Sequence, residues 1–557
     1  MIRESIDSAH QLKRALNAVD LTALGIGAII GAGIFATTGS AAAGTLDRPG
    51  AGPALIISYL VTAVACGFCA FCYAEFASMI PISGSAYTYA YATLGEFIAW
   101  VIGWDLIIEY AVGNIAVAVS WAGYLKELLR GLGLAMPAWL TTDYRTAHRS
   151  AELLASAPHL AGIPLIVNLP AVFIVGVITV VLVVGIKESS VFNSLIVLIK
   201  LLVVVGFVVV GAFYVRPANW QPFAPHGWRG IATGAALIFF AYIGFDAVST
   251  AAEEAKNPQR DMPIAMISSL VICTILYIAI TAVLTGILPY QQLGTAEPLA
   301  TALNLIHLDW AAGIVSFGAV VSMTAVLLVF QLGQSRIFFA MSRDGLLPKA
   351  FASVHPRFRT PHVTTILTGI FVGGFSGFMD INEAVELTNI GTLFAFILVG
   401  IGIIVLRHTE PSLPRPFRCP WVPVTPLLGV FSCLYLMLQL PVLTWIRFVV
   451  WLFTGLMIYF LYSVERSSLY RSSLQNHPEF RYQLRATRQG FGLALLALGG
   501  LLLYSGLAQH GTLSNRIGYS LAIPFQGARL HASVALTGAL LLLLCVLFFK
   551  KALRRPG

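Results

Sequence analysis

Long apolar stretches separated by short polar breaks run along almost the whole of this chain. About 20 mostly apolar residues make a helix long enough to cross a hydrocarbon core. Fourteen such stretches are readable, at 20–43, 52–79, 92–124, 164–186, 191–214, 230–252, 264–287, 310–340, 363–379, 384–406, 424–442, 446–464, 491–507 and 532–549. The breaks are too short to hold a soluble domain. Two are longer: 131–163, rich in Ala, and 465–490, polar and rich in Arg. The pattern divides the chain into a polar segment 1–19, a core of twelve helices over 20–464, a linker 465–490, and a last two-helix hairpin with a basic tail over 491–557.

An even number of crossings puts both ends on one side. With the N-terminus inside, the inner segments carry roughly twice as many Lys and Arg as the outer ones, so both termini are expected in the cytoplasm. Residues 1–19 lack the basic start and apolar middle of a signal peptide, and the first apolar stretch is expected to persist as a helix. The compact loops suggest a prokaryotic cytoplasmic membrane.

Composition agrees with the pattern. The chain has 557 residues, 58% hydrophobic and 11% charged, with a mean hydropathy of +0.83. A soluble chain so poor in charge would not cover its own surface, whereas a bilayer removes that demand. The net charge of +9 follows from inner-side cations and calls for no nucleic acid. Cys66, Cys69 and Cys72 are spaced like metal ligands, but they lie in an apolar helix with no His nearby and no loop to fold around an ion. They are read as small packing residues. No metal, cofactor or disulfide is expected.

Candidate chemistry begins with glycine. The first helix, LTALGIGAIIGAGIFATTG, holds Gly25, Gly27, Gly31, Gly33 and Gly39; the sixth, GAALIFFAYIGFDAVSTAAEE, holds Gly234 and Gly244, with Asp246 close behind. Each interior Gly costs a helix about 1 kcal/mol, so the cluster needs a reason. A dinucleotide fingerprint fails on spacing and on the missing strand. Close packing through small residues suits Gly27 and Gly31, four apart. The other reading is an unwound stretch at Gly31-Ala32-Gly33, whose freed N–H groups would hold a carboxylate and whose freed carbonyls would hold an ammonium. Breaks in helices 1 and 6 are what two inverted halves, helices 1–5 and 6–10, would produce.

Among the ionisable residues inside the apolar segments, three stand out. Lys200 in SLIVLIKLLVVVGF is about 14 Å from the start of its helix at 1.5 Å per residue, near the middle of a core about 30 Å thick. It is too deep to snorkel out. It either faces a watery patch or is buried in protein, where it would be suited to carry a proton. Asp105 and Glu109, in IGWDLIIEYAVGN, are four apart and share a face. Trp100 and Trp104 are read as inner-interface anchors and Trp121 as an outer one, which makes Glu109 the deeper acid. It could pair with Lys200, relay its proton, face the ammonium of a substrate, or serve as a structural hydrogen-bonded acid.

Four blocks now stand in order: GIGAIIGAGIF, YAEFASMIPISGSAYTYAY, FFAYIGFDAVSTAAEEAKNPQRDMP and RIFFAMSRDGLLP. Over residues 15–465 the chain resembles the amino acid–polyamine–organocation superfamily, and most of all bacterial members of its cationic amino acid transporter branch. That resemblance implies an all-α integral membrane protein with a 5+5 inverted-repeat core, helices 1 and 6 unwound at mid-membrane, and four additional helices. It implies alternating access and an amino acid held by the breaks. By the same resemblance Ile29 offers a carbonyl beside Gly31, Ala32 and Gly33. Phe240 gates the substrate, Ile243 contributes backbone, and Met323 helps size the pocket. Lys200 is similar to the lysine that takes the place of a sodium ion in sodium-independent relatives, which points to protons. A bulky Met323 favours small neutral amino acids over arginine or lysine. The partners expected are an L-amino acid, a proton and membrane lipid, with a small single-helix protein possible at the last hairpin. An enzyme finds no support, since no H-E-x-x-H or G-x-S-x-G occurs. Obligate exchange and amino acid sensing without transport remain alternatives.

Overall fold

The computed structural model describes residues 16–45, 48–79, 85–147, 150–160, 163–185 and 190–467. Among these, nine helices are long and apolar enough to cross a membrane, and three shorter apolar helices accompany them. These twelve coincide with the first twelve apolar stretches. The stretches at 491–507 and 532–549 lie outside the described residues.

The chain divides into two compact units, Met1–Phe339 with Ser353–Leu440, and Ala340–Ala352 with Pro441–Gly557. The first unit opens with α1 (Ala18–Ile29). Asn17 caps it, accepting hydrogen bonds from the Val19 and Asp20 amides while Asp20 reaches back to the Asn17 amide, a reciprocal cap that fixes where the helix starts. A π-helical turn at Gly33–Thr37 and α2 (Thr38–Ala43) complete the first crossing. There follow α3 (Leu55–Met79), α4 (Ser85–Thr93), α5 (Glu96–Gly131), α6 (Leu169–Val184) and α7 (Ser190–Ala212). The sixth crossing is α8 (Gly227–Ile238) with 3₁₀ turns at Phe239–Tyr242 and Asp246–Glu254. Then come α9 (Pro258–Ile287), a short α10 (Pro298–Leu305), α11 (Asp309–Arg343), α12 (His362–Ser376), α13 (Ile381–Thr409) and α14 (Val424–Leu438). The second unit contains α15 (Val442–Ile458), and within it the Ser463 hydroxyl donates to the Leu346 carbonyl.

Burial explains the arrangement. The membrane-length window of α5 is buried all round, as expected of a helix that is apolar on every face, and it packs on α13, α4, α12 and α6. The first broken helix lies against α9 and α7, while α3 lies against α9, α8, α14 and α13. On α7, Val197, Lys200, Val204 and Phe207 are buried, while Leu195, Leu198, Leu202, Val205 and Val209 are exposed. That three-and-four spacing turns one stripe inward and leaves the other to lipid. Lys200 sits on the inward stripe, which removes the watery-patch reading.

Trp100 and Trp104 are buried and stacked on each other, and the Trp121 indole donates to the Thr324 hydroxyl at 2.9 Å. They are not interfacial anchors. The aromatic-belt rule applies to helices that touch headgroups, and α5 is enclosed by protein.

Candidate functional site at the two helix breaks

A helix that stops inside a protein leaves its last carbonyls without partners, and at the end of α1 side chains from three other helices supply the donors. Ile30 leaves helical geometry, with φ −76° and ψ 98°. The Lys200 ammonium on α7 donates to the carbonyls of Gly27 at 2.7 Å and Ile30 at 3.1 Å. The Ser322 hydroxyl on α11 donates to the Ile30 carbonyl at 2.9 Å. The Tyr277 hydroxyl on α9 lies 3.0 Å from the Ile29 carbonyl and 2.9 Å from that of Ala241. An ammonium at the carbonyl end of a helix is also favoured by the helix dipole.

The second break mirrors the first. Ile243 is extended, with φ −60° and ψ 130°, and Gly244 has φ +123°, a conformation side chains rarely tolerate. The Asn389 amide on α13 donates to the Ala236 and Leu237 carbonyls at 2.7 and 3.0 Å. The Gly244 amide donates to the Asp246 carboxylate at 3.2 Å, so the acid caps the restart of its own helix. The breaks touch. A Cβ on Gly33 would lie 2.3 Å from Ala241 Cα, and one on Gly244 would lie 2.8 Å from the Ala28 carbonyl. Glycine permits this approach at both places.

Of the residues singled out from sequence, Ile29, Gly31, Ala32, Gly33, Phe240 and Ile243 all belong to these breaks. Ile29 offers its carbonyl to Tyr277, and Gly31 faces Val326, with a would-be Cβ at 3.0 Å. Gly33 opens the π-helical turn, with Ala32 as its cap. The Phe240 carbonyl accepts from the Ile243 amide. Met323 is fully buried beside Ser322. A narrow crevice is lined by Glu109, Tyr110, Ile243, Gly244, Asp246, Ala247 and Phe330, so Glu109 is brought to the second break and to Asp246. Among the described residues no ion pair joins Glu109 to Lys200. The hydrogen bonds of Lys200 are to carbonyls on α1, while the Thr392 hydroxyl partners the Glu109 carboxyl from α13.

Sequence reading missed Tyr277, Asn389, Tyr110 and Phe330. A polar residue within an apolar stretch was the available signal for the first two. It also missed Glu75, fully buried at the end of α3, which accepts from Arg407 Nε at 2.9 Å, Arg407 Nη2 at 2.7 Å and the Cys419 amide at 2.7 Å, with Arg415 Nε at 3.3 Å.

Two broken helices thus face each other, their carbonyls served by side chains from neighbouring helices. Residues 16–462 match the amino acid permease family. The chain belongs to that family. The permease is 49% identical over 461 residues to the methylthioribose transporter of Bacillus subtilis (strain 168), covering 83% of this chain and 96% of the relative. It is 50% identical over 459 residues to the branched-chain amino acid permease BcaP of the same organism, covering 82% and 95%. The vacuolar cationic amino acid transporter 4 of Arabidopsis thaliana is 38% identical over 412 residues, covering 73% and 65%. The resemblance to the superfamily and its cationic branch therefore holds. The permease is a multi-pass membrane transporter and not an enzyme.

Proposed function

We propose that this permease is a proton-coupled symporter of neutral L-amino acids with apolar side chains. The observation that carries the coupling is Lys200, buried among apolar residues and bonded to the Gly27 and Ile30 carbonyls at the end of α1. A cation held there steadies the break without a metal ion. Loss of its proton removes the positive charge and one N–H from the end of α1, weakens the bonds to the Gly27 and Ile30 carbonyls, and loosens the half-helix that the substrate touches. Proton release is thereby tied to the geometry of the site.

The substrate carboxylate is held by the first N–H groups of the restarted helix at Gly31, Ala32 and Gly33, at its positive end. The ammonium is held by carbonyls of Ile29 and of the stretch around Phe240 and Ile243. Phe240 closes over the bound molecule. Met323 and Phe330 are buried and apolar, and Asp246 is engaged by the Gly244 amide, which supports a preference away from arginine and lysine. The 50% identical relative named as a branched-chain amino acid permease supports the same preference. Methylthioribose is the second reading, favoured by the 49% identical relative named for it. The distribution of Lys and Arg supports a cytoplasmic position for both termini. We take 20–464 as the core, 465–490 as a linker and 491–557 as an accessory segment.

Proteoliposomes loaded with buffer or with unlabelled leucine, given radiolabelled leucine with and without an inward proton gradient, test the proposal. Unlabelled isoleucine, alanine, arginine and methylthioribose serve as competitors. Gradient-driven uptake blocked by isoleucine supports it. Uptake only into leucine-loaded vesicles would make the protein an exchanger, binding without uptake a sensor, and competition by methylthioribose alone would replace the substrate.

A further inference from the structure

The two broken helices take carbonyl partners from helices five crossings apart. The first crossing is served by α7, the fifth, through Lys200, and the sixth is served by α13, the tenth, through Asn389. Each side chain gives N–H groups to two carbonyls near the end of a half-helix, Gly27 and Ile30 in one case, Ala236 and Leu237 in the other. The placements correspond under two halves of five helices, but the chemistry differs. An ammonium carries a proton it can release, whereas a carboxamide does not titrate.

Asn389 is fully buried, and the facing of its amide is dictated by its surroundings. With oxygen and nitrogen exchanged, the oxygen would lie against two carbonyl oxygens at 2.7 and 3.0 Å. The nitrogen therefore faces α8. Among the described residues the amide oxygen accepts no hydrogen bond, so the side chain serves α8 as a donor alone. It does so where α8, ending at Ile238, tightens into the 3₁₀ turn Phe239–Tyr242, a step at which the regular helical bonding changes. That turn carries Phe240 and leads into extended Ile243. Holding Ala236 and Leu237 thus fixes the base from which the carbonyls of the break project. The acids near this break, Asp246 and Glu109, gather at its other end with Gly244.

We infer that Asn389 is a positioning residue for the substrate ammonium. It sets affinity for amino acids through the carbonyls of the second break and takes no part in proton coupling, which stays with Lys200 at the first. The inference rests on the ammonium placement and the coupling proposed above, and it divides the two broken helices by task.

Leucine, leucinol and 4-methylpentanoate separate this role from a merely structural one. Leucinol lacks the carboxylate, and 4-methylpentanoate lacks the ammonium. Full-length Asn389→Leu in proteoliposomes is expected to raise the KM for leucine at least tenfold, with the maximal rate within threefold of wild type. The preference for leucine over 4-methylpentanoate, read from competition, should fall at least tenfold, while the preference over leucinol stays within threefold. At saturating leucine, accumulation driven by an inward proton gradient should stay within twofold of wild type. Asn389→Asp keeps the outline of the side chain and has at most one donor, so it gives the same readings should Asn389→Leu fail to fold. An unchanged KM, both preferences falling together, or loss of gradient-driven accumulation overturns the inference. Wild-type protein that carries no leucine, or carries it regardless of the proton gradient, would instead remove the reading beneath it.

Discussion

The Lys200 ammonium meets the Gly27 carbonyl oxygen at 2.7 Å. That bond spans 173 residues of sequence and joins a helix that ends inside the protein to the inward stripe of α7. With the second bond to Ile30 and the Ser322 hydroxyl on the same carbonyl, the lysine belongs to the break in α1, on which the proposed chemistry depends.

Close approach at the breaks predicts a sharp contrast between two glycines. Gly33→Ala would place a Cβ 2.3 Å from backbone Cα of Ala241, and neither backbone can yield without moving a break. Overpacking of this kind costs about 1–3 kcal/mol. Leucine uptake should fall at least tenfold, with a lowered melting temperature in detergent. Gly67→Ala on α3 meets nothing within 4 Å and should be neutral or stabilise by up to about 1 kcal/mol, with uptake intact.

Glu75 is fully enclosed and carries the charge that two guanidiniums need. Glu75→Gln leaves Arg407 and Arg415 without their carboxylate. Losing one partner of a buried ion pair costs about 3–5 kcal/mol; Arg407 is 24% exposed, so the lower end is expected. Thermal unfolding followed by size-exclusion chromatography should show a clear loss of stability, and an unchanged melting temperature would contradict the ion cluster.

At the other face, Glu297 begins α10 and pairs with Lys126 at 3.3 Å, with Glu127 and Arg130 close by. Burial pushes its carboxyl above the usual range, and Lys126 only partly offsets this. The folded protein therefore binds the proton more tightly than the unfolded chain. Stability contributed by this group is present at low pH and lost as pH rises through the raised value. Replacing Glu297 with Gln should raise the melting temperature relative to wild type more at pH 7.5 than at pH 4.5. A difference that runs the other way would mean the ion pair with Lys126 outweighs burial.

Glu109 lines the crevice with Asp246, one oxygen partnered by Thr392 and the other without a partner. Glu109→Gln keeps the shape and one acceptor. A structural acid would tolerate the change; a carboxyl used in transport would not. The expected result is uptake reduced at least tenfold at an unchanged melting temperature.

Much of this was legible in the sequence. Twelve crossings follow from hydropathy, because in lipid every backbone group must be satisfied within a helix. The breaks follow from Gly31, Gly33 and Gly244, and the depth of Lys200 from counting residues. What was hidden depends on partners far along the chain. Glu75 and Arg407 are 332 positions apart, and nothing local says that they meet. Tyr277 and Asn389 looked like occasional polar residues in apolar helices until each was found on the carbonyls of a break. Trp100 and Trp104 misled because an enclosed helix and a lipid-facing one carry similar residues.

The central claim is that protons entering with the substrate drive uptake through Lys200. Wild-type and Lys200→Ala protein, reconstituted in parallel without sodium, should be given radiolabelled leucine with the outside acidic, with and without a protonophore. The account predicts accumulation above equilibrium in the wild type, its loss with protonophore, and no gradient-driven accumulation in Lys200→Ala. Equal accumulation in the variant, or wild-type uptake that ignores the proton gradient and needs sodium, would contradict it.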